Sequence, residues 1–263
     1  MSEITRAMRT ALLQSYRTTA QPDWVVSCMA SVHALATQNH WAYQFRGDDI
    51  FDLVPQGLLD KFATQKPLLC DIARLAWAKE VFTHQPDIDR VIWLDADVYV
   101  FEPKRLNINP ADNFALGRQI WIQPHSNGRL KSFRQVHNAV LAFNRHSSVL
   151  DFLLESVLTL ANRHKGPASP QLLGPKLLTA LHNILGFDVI ESIGMASPLV
   201  LRDLANGGGQ ALEQLTADSA TALGALNLCT SYQGQTVDGV NCTAELFENA
   251  ITALKNGAMK ARR

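Results

Sequence analysis

The stretch that decides the fold is Arg90-Val91-Ile92-Trp93-Leu94-Asp95-Ala96-Asp97-Val98-Tyr99-Val100-Phe101. Apolar residues 91–94 predict a strand covered on both faces, as in the sheets of α/β proteins. In an extended chain, Asp95 and Asp97 point to one side with Cα atoms ~6.5–7 Å apart, so they can share one hard cation. We therefore predict a ligand site at the end of this strand. The alternative is a solvated turn, which the apolar residues 99–101 argue against.

Strand and helix patterns alternate on both sides of this stretch. They predict an α/β fold with a mostly parallel central sheet. The predicted strands cover residues 11–15, 41–45, 114–122 and 135–143 besides the central one, and the predicted helices cover residues 22–39, 56–62, 66–82, 149–162 and 174–185. A glycine run at residues 206–209 predicts a surface turn.

The composition is that of a globular protein with a well-covered core: 47% of the residues are hydrophobic and 18% are charged. The 24 basic and 24 acidic residues cancel, which argues against nucleic-acid binding. Four widely spaced cysteines predict free thiols in a reducing compartment.

No apolar leader begins the sequence, and no window approaches the ~18 apolar residues of a membrane span. We therefore expect a cytoplasmic protein without a transmembrane segment. A small cationic tail can attract anionic lipid headgroups weakly, which allows a peripheral membrane contact. It consists of Lys255, Lys260, Arg262 and Arg263.

Asp95-Ala96-Asp97 resembles the DXD motif of metal-dependent glycosyltransferases with the GT-A fold. The resemblance is to the family with a DXD-containing sugar-binding region, which includes initiating mannosyltransferases and the glucosylating domains of clostridial toxins. It is clearest over residues 70–103 and continues less closely to about residue 179. Three further motifs carry it: Asp71-Ile72-Ala73-Arg74, Asn138-Ala139-Val140-Leu141 and Gly174-Pro175-Lys176-Leu177-Leu178-Thr179.

The resemblance implies a GT-A (Rossmann-like) fold and transfer of a sugar from a nucleoside-diphosphate sugar, such as a UDP- or GDP-sugar, with retention of configuration. Mn²⁺ or Mg²⁺ would be held by Asp97 with help from Asp95. Arg74 would assist catalysis. The sugar donor would be bound by Asp71, Arg74, Asp95 and Asn138. Since positions i and i+3 share a helix face, Asp71 and Arg74 can act together.

Other candidates rest on their positions in the chain. Tyr16, at the end of the first strand, would line the nucleobase pocket, and His125 in a polar loop would reach the acceptor. Gly174 and Pro175 open a predicted helix whose free amides can face the acceptor side. The acceptor is expected to be a glycan or a lipid-linked sugar.

The chain departs from the family near its end. The family supplies a further metal or diphosphate ligand there, often near a histidine or a Ser-x-Trp, and no such pattern follows Gly224. Ser231, Tyr232 and Asn241 are the alternatives. We predict one domain over residues 1–263, the whole chain. Residues 1–103 would form its nucleotide-sugar half, and residues 104–263 the half that binds the donated sugar and the acceptor.

Two other functions are compatible with parts of the sequence. One is a non-catalytic member of the fold that binds a nucleotide-sugar or glycan. The other is a haloacid-dehalogenase-type phosphatase, which also has two aspartates after an apolar strand. Residues 47–52 fit the acid motif of that superfamily, although in this chain it precedes the strand instead of following it.

Overall fold

The computed structural model of the chain describes residues 8–259. Its strands are β1 (Thr10–Ser15), β2 (Ala42–Arg46), β3 (Arg90–Leu94), β4 (Val98–Val100), β5 (Phe114–Pro124), β6 (Leu130–Asn144), β7 (Asp188–Ile190), β8 (Ile193–Met195), β9 (Ala225–Asn227), β10 (Thr236–Val237) and β11 (Val240–Asn241). Its helices are α1 (Asp23–Gln38), α2 (Gln56–Lys61), α3 (Lys66–His84), α4 (Ser148–Arg163), α5 (Leu177–Leu185), α6 (Pro198–Ala205), α7 (Gln210–Asp218) and α8 (Ala244–Lys255). Lys260, Arg262 and Arg263 of the predicted cationic tail lie outside the described residues.

The central sheet has the strand order β2-β1-β3-β6-β5-β7. The pairs β1–β2, β1–β3 and β5–β7 are parallel, whereas β6 is antiparallel to both β3 and β5. The predicted α/β class with a mostly parallel sheet is therefore confirmed. A second, smaller sheet has the order β4-β9-β8, and it brings the late part of the chain beside the segment that follows β3.

Strand β3 is buried on both faces, as its apolar sequence predicts. Val91 and Trp93 belong to the core beneath α3 and α4, whereas Ile92 and Leu94 belong to a core on the other face. Sheets covered on both sides need such unbroken apolar strands, because neither face of the strand meets water. Burial of β3 thus fixes the position of the two aspartates that follow it.

A bulge interrupts the pairing of β6 with β5. Leu116 pairs with Leu141, but the next residue, Gly117, pairs with His137. Residues 138–140 are therefore extra on β6, and such insertions bend a strand and redirect its side chains. Gly117 permits the bend, because a Cβ at this position would lie 2.4 Å from the His137 ring.

The predicted elements up to residue 185 are present, with ends that differ by a few residues. Strand β6 begins five residues earlier than predicted. The helix predicted from residue 174 begins at Leu177, after a π-helical turn over Leu172–Lys176 in which Gly174 is non-helical. Among residues 8–259, none of the helices combines the length and the apolar character that a membrane span requires.

The contact between α1 and α8 gives a test of the second core. Phe247 is fully buried and stacks on Trp24 with ring centroids 4.3 Å apart and an interplanar angle of 9°. We expect Phe247→Ala to lower the free energy of unfolding by about 3–5 kcal/mol. Phe152→Ala, at a side chain 45% exposed, is the control and should cost under about 1 kcal/mol in urea unfolding. Equal costs would contradict the packing of α8 on α1.

Candidate active site

Asp95, Ala96 and Asp97 form a turn between β3 and β4. The Val98 amide donates to the Asp95 carbonyl at 3.1 Å, which closes the turn. The expectation that these residues are extended is therefore wrong. The physical reason is that β3 belongs to the central sheet whereas β4 pairs with β9 in the other sheet, so the chain must turn between them. The turn gives the two carboxylates different neighbours.

The carboxylate of Asp95 is held at one oxygen. Its Oδ1 accepts hydrogen bonds from Arg74 Nη1 at 2.9 Å and from Trp93 Nε1 at 2.7 Å. The Arg74 guanidinium also lies over the Trp93 ring, 5.0 Å from the centroid. Oδ2 accepts no hydrogen bond from the described part of the chain, and the side chain is 26% exposed. One oxygen of Asp95 is thus available to a ligand.

Arg74 connects Asp95 with Asp71 and Asn138. Arg74 Nη2 lies 3.3 Å from Asp71 Oδ1, and its Nη1 donates to the Asn138 carbonyl at 2.6 Å. The Asn138 amide donates to Asp71 Oδ1 at 2.7 Å. Asp71 and Arg74 are at most 7% exposed, so both are part of the interior. They hold Asp95 and Asn138 in place, and those two face the cavity described below.

Burial governs the charges of this cluster. It raises the pKa of Asp71 to about 6, against the opposing effects of Arg74 and the Asn138 hydrogen bond. Burial also raises the pKa of Asp95, which Arg74 counteracts and the charge of Asp97 reinforces. For Arg74, burial favours a lower pKa, but Asp95 and Asp71 outweigh it and the pKa is raised. The guanidinium therefore stays charged.

Asp97 is held by the late part of the chain. Asn227 Nδ2 donates to its Oδ1 at 2.8 Å. The Thr230 amide and hydroxyl donate to its Oδ2 at 2.7 and 2.6 Å. The Asp97 carboxylate is therefore held by Asn227 and Thr230, which the sequence did not single out, and the Leu228 amide donates to the Asp97 carbonyl at 2.9 Å. Of the predicted late ligands, Ser231 and Tyr232 line the cavity described below. Asn227 could have been found from the sequence, because a polar residue between Leu226 and Leu228 indicates a buried amide at the end of a strand that needs a hydrogen-bond partner.

A cavity of about 220 Å³ opens between the Asp95–Asn138 cluster and the late segment that holds Asp97. It lies at the end of β3 and at the bulge in β6, beside the π-helical turn and the segment after β9. Its lining residues are Asp95, Asp97, Gln119, Trp121, His137, Asn138, Ala139, Gln171, Pro175, Met195, Asn227, Cys229, Ser231 and Tyr232. The fully buried His137 accepts the Ala139 amide at Nδ1, and burial lowers its pKa to about 4, so it is neutral at pH 7.

The other sequence candidates lie in different places. Pro175 lines the cavity, and Gly174 packs against Asp71 and Asn138. Tyr16 is half-buried, and the charge of Asp97 adds to burial in raising its pKa. His125 is exposed at the tip of the β5–β6 hairpin and does not line this cavity.

Neither Asn241 nor the phosphatase-like acid motif reaches the cavity. Asn241 lies in the exposed part of β11. Asp48 and Asp52 lie in the short helix Asp48–Leu53, where Asp48 is 3.8 Å from Lys66 Nζ. Since a phosphatase needs its acid beside the nucleophile, this arrangement argues against that alternative.

The oxygen ligands at the turn suit a hard cation. Over residues 8–259 there is no group of three or more histidine, cysteine or acidic residues that could hold a metal by itself. Mg²⁺ is commonly bound by one or two carboxylates together with substrate phosphates and water. Asp95, with its available Oδ2, and Asp97 fit that mode of binding.

The chain has a GT-A-like glycosyltransferase fold. The chain is similar to the crystal structure of a glycosyltransferase involved in the glycosylation of the major capsid of PBCV-1, with a TM-score of 0.51, 12% sequence identity, and 92% of this chain and 98% of that chain covered. Mouse xyloside xylosyltransferase 1 in its apo form is another match, with a TM-score of 0.43, 12% identity, and 85% and 98% covered. No protein-family model matches the sequence, and no curated protein matches it.

Gly174 tests the packing of the cluster. A Cβ here would lie 2.6 Å from Asn138 Nδ2 and 2.7 Å from Asp71 Oδ2. We expect Gly174→Ala to lower the free energy of unfolding by about 1–3 kcal/mol. The control is Gly57→Ala in α2, where a Cβ meets nothing within 4 Å and the change should be neutral or slightly stabilising. Urea unfolding of both variants checks this, and equal stabilities would contradict the close contact.

The pKa of Asp71 predicts a pH dependence. Because its folded pKa is raised to about 6, the folded state binds the proton more tightly than the unfolded state. This contribution to stability is present below pH ~4 and is lost as the pH rises towards 6. Asp71→Asn removes that dependence, so its stability relative to wild type should rise by roughly 1–3 kcal/mol between pH 4 and pH 7. Unfolding at several pH values measures the difference, and a flat difference would refute the raised pKa.

Proposed function

We propose that the protein is a glycosyltransferase that transfers a sugar from a nucleoside-diphosphate sugar to an acceptor hydroxyl, with retention of configuration. The main support for this proposal is the cavity at the end of β3, which is bounded by Asp95 and Asp97 on a GT-A-like fold. Open α/β sheets bind ligands at the carboxyl ends of their strands. UDP- and GDP-sugars are the proposed sugar donors.

Mn²⁺ or Mg²⁺ is proposed as the cofactor, held by Asp97 and Asp95. When bound, such a cation neutralises the negative charge of the departing diphosphate. Oxygen ligands of this kind suit both metals. The buried Arg74 fixes the direction of the Asp95 carboxylate through Oδ1 and so keeps Oδ2 towards the cavity.

The transfer exchanges one bond at the anomeric carbon and moves one proton. The acceptor oxygen bonds to the anomeric carbon, the bond from that carbon to the diphosphate oxygen breaks, and the acceptor proton passes to the departing diphosphate. Attack from the face of the leaving group retains the configuration without a protein nucleophile. Asn138 lines the cavity beside Asp95, and in this proposal it binds the donated sugar. Arg74 and Asp71 act as positioning residues behind it.

A non-catalytic nucleotide-sugar or glycan-binding protein is the second candidate. Both oxygens of Asp97 accept hydrogen bonds from Asn227 and Thr230, and this favours a purely structural role for that carboxylate. The two candidates differ in turnover, because active transferases release the sugar to water slowly when no acceptor is present. Release of nucleoside diphosphate from a bound sugar donor supports the enzyme, and binding without release supports the second candidate.

The cation site gives the main test. A thermal-shift screen of UDP-, GDP- and CDP-sugars with and without Mn²⁺ identifies the sugar donor. Calorimetry of that donor should then show at least ~10-fold weaker Mn²⁺-dependent binding for Asp97→Asn, a loss of ~1.4 kcal/mol or more. Asp48→Asn changes an aspartate whose side chain is 59% exposed and does not line the cavity, and it should bind like wild type. Equal affinity of Asp97→Asn and wild type would refute the assignment of Asp97.

Location and domain boundaries stay predictions. They comprise the cytoplasmic placement and the weak membrane contact of the cationic tail. They also include the single domain over residues 1–263, the full sequence, with its division after residue 103.

A further inference from the structure

The cavity continues from the Asp95–Asp97 turn along β5. Gln119 and Trp121 line it, and residues two apart on a strand point to the same side. Ile120 and Ile122 point to the opposite side, into the core beneath α6 and α7. The side of β5 that faces the cavity therefore presents an amide followed by an indole.

Trp121 forms an aromatic pair with Tyr232 across the cavity wall. Their ring centroids are 5.5 Å apart with an interplanar angle of 35°, and both rings are only partly buried. Tyr232 lies in the short helix Thr230–Tyr232, which Asp97 holds through Thr230. The aromatic pair is thus fixed relative to the carboxylates of the turn.

Gln119 brings a polar amide to the same wall. The residue is only 6% exposed, and its amide forms no hydrogen bond to the described residues and is open to the cavity that it lines. Amides inside proteins are normally paired with protein groups, water or a ligand. A hydroxyl group can both donate to and accept from this amide. The arrangement therefore suits a ligand that carries hydroxyl groups.

We propose that Gln119, Trp121 and Tyr232 form the acceptor subsite and that the acceptor is a carbohydrate. This rests on the proposed transferase function. A pyranose ring stacks its apolar C–H face on the indole while a ring hydroxyl bonds to Gln119. The sugar donor lies at the Asp95 and Asn138 end of the cavity, so that the acceptor hydroxyl points along β5 towards its anomeric carbon.

The chemistry of the wall favours a sugar over other acceptors. A lipid chain needs a continuous apolar groove, whereas this wall alternates aromatic rings with amides and carboxylates. A peptide hydroxyl would leave the indole face without a matching ring. An aromatic face beside a hydrogen-bonding amide matches the two faces of a pyranose, one apolar and one edged with hydroxyls.

Saturation-transfer difference NMR tests the subsite without turnover. The probes are methyl α- and β-glycosides of glucose, galactose and mannose, with a serine-containing peptide and a short-chain alcohol as comparison ligands. Saturation of the protein should appear on the C–H protons of at least one glycoside. The signal should persist when the nucleotide-sugar and Mn²⁺ are present, which separates the acceptor subsite from the place of the donated sugar.

Three variants and one control decide the assignment. Trp121→Ala should weaken glycoside binding about tenfold, as the loss of one aromatic contact predicts. Trp121→Phe should retain part of it, and Gln119→Ala should also weaken it. Phe133→Ala is the matched control, because Phe133 lies directly opposite Trp121, is 38% exposed and does not line the cavity. Circular dichroism confirms that each variant is folded.

The outcomes distinguish this proposal from the proposed function. One outcome is nucleotide-sugar binding that depends on Asp97, combined with NMR saturation signals from the peptide or from no comparison ligand, and with none from the glycosides. This outcome overturns the carbohydrate acceptor but retains the proposed transferase function. Glycoside signals lost in Trp121→Ala, without nucleotide-sugar binding, retain the subsite but move the protein to the non-catalytic candidate. Equal signals in Trp121→Ala and Phe133→Ala overturn the subsite.

Discussion

The site depends on the neutralisation of one buried guanidinium. Arg74 is 7% exposed, and a charge taken out of water is tolerated only when it is paired and hydrogen-bonded. Its partners come from three parts of the chain: Asp71 from α3, Asp95 from the turn after β3, and the Asn138 carbonyl from the bulge in β6. Each of these segments supplies a group that pairs with the buried guanidinium, so the three segments are held together by this requirement.

The bulge and the turn are complementary departures from regular strands. Residues 138–140 have no partner on β5, but Val140 pairs with Leu94 of β3 and the Asp95 amide donates to the Ala139 carbonyl at 2.8 Å. The chain of β3 then turns into the second sheet, whose strand β9 supplies Asn227 to Asp97. The cavity lies where the two sheets separate.

The sequence predicted those parts of the fold that have regular patterns. The apolar run before Asp95 and the spacing of Asp71 and Arg74 follow from the periods of strand and helix, and the structure shows both. The extended form of Asp95 and Asp97 was a wrong expectation, because pairing of β4 in another sheet is not encoded within residues 95–97. Contacts between distant segments, such as Thr230 with Asp97 and the cavity side of β5, have no local pattern and were missed.

The partners of Asp97 have a consequence for the order of folding during synthesis. Asn227 follows Asp97 by 130 residues, so β3 and its apolar cover can assemble well before this contact exists. Contacts between residues so distant in sequence form late, because the loop between them must first be closed. A ribosome-bound chain that ends before residue 225 therefore carries the buried arginine cluster but an Asp97 without these partners. The contacts that hold the Asp97 carboxylate can form only after residues 225–230 have been synthesised, when most of the core residues are already present.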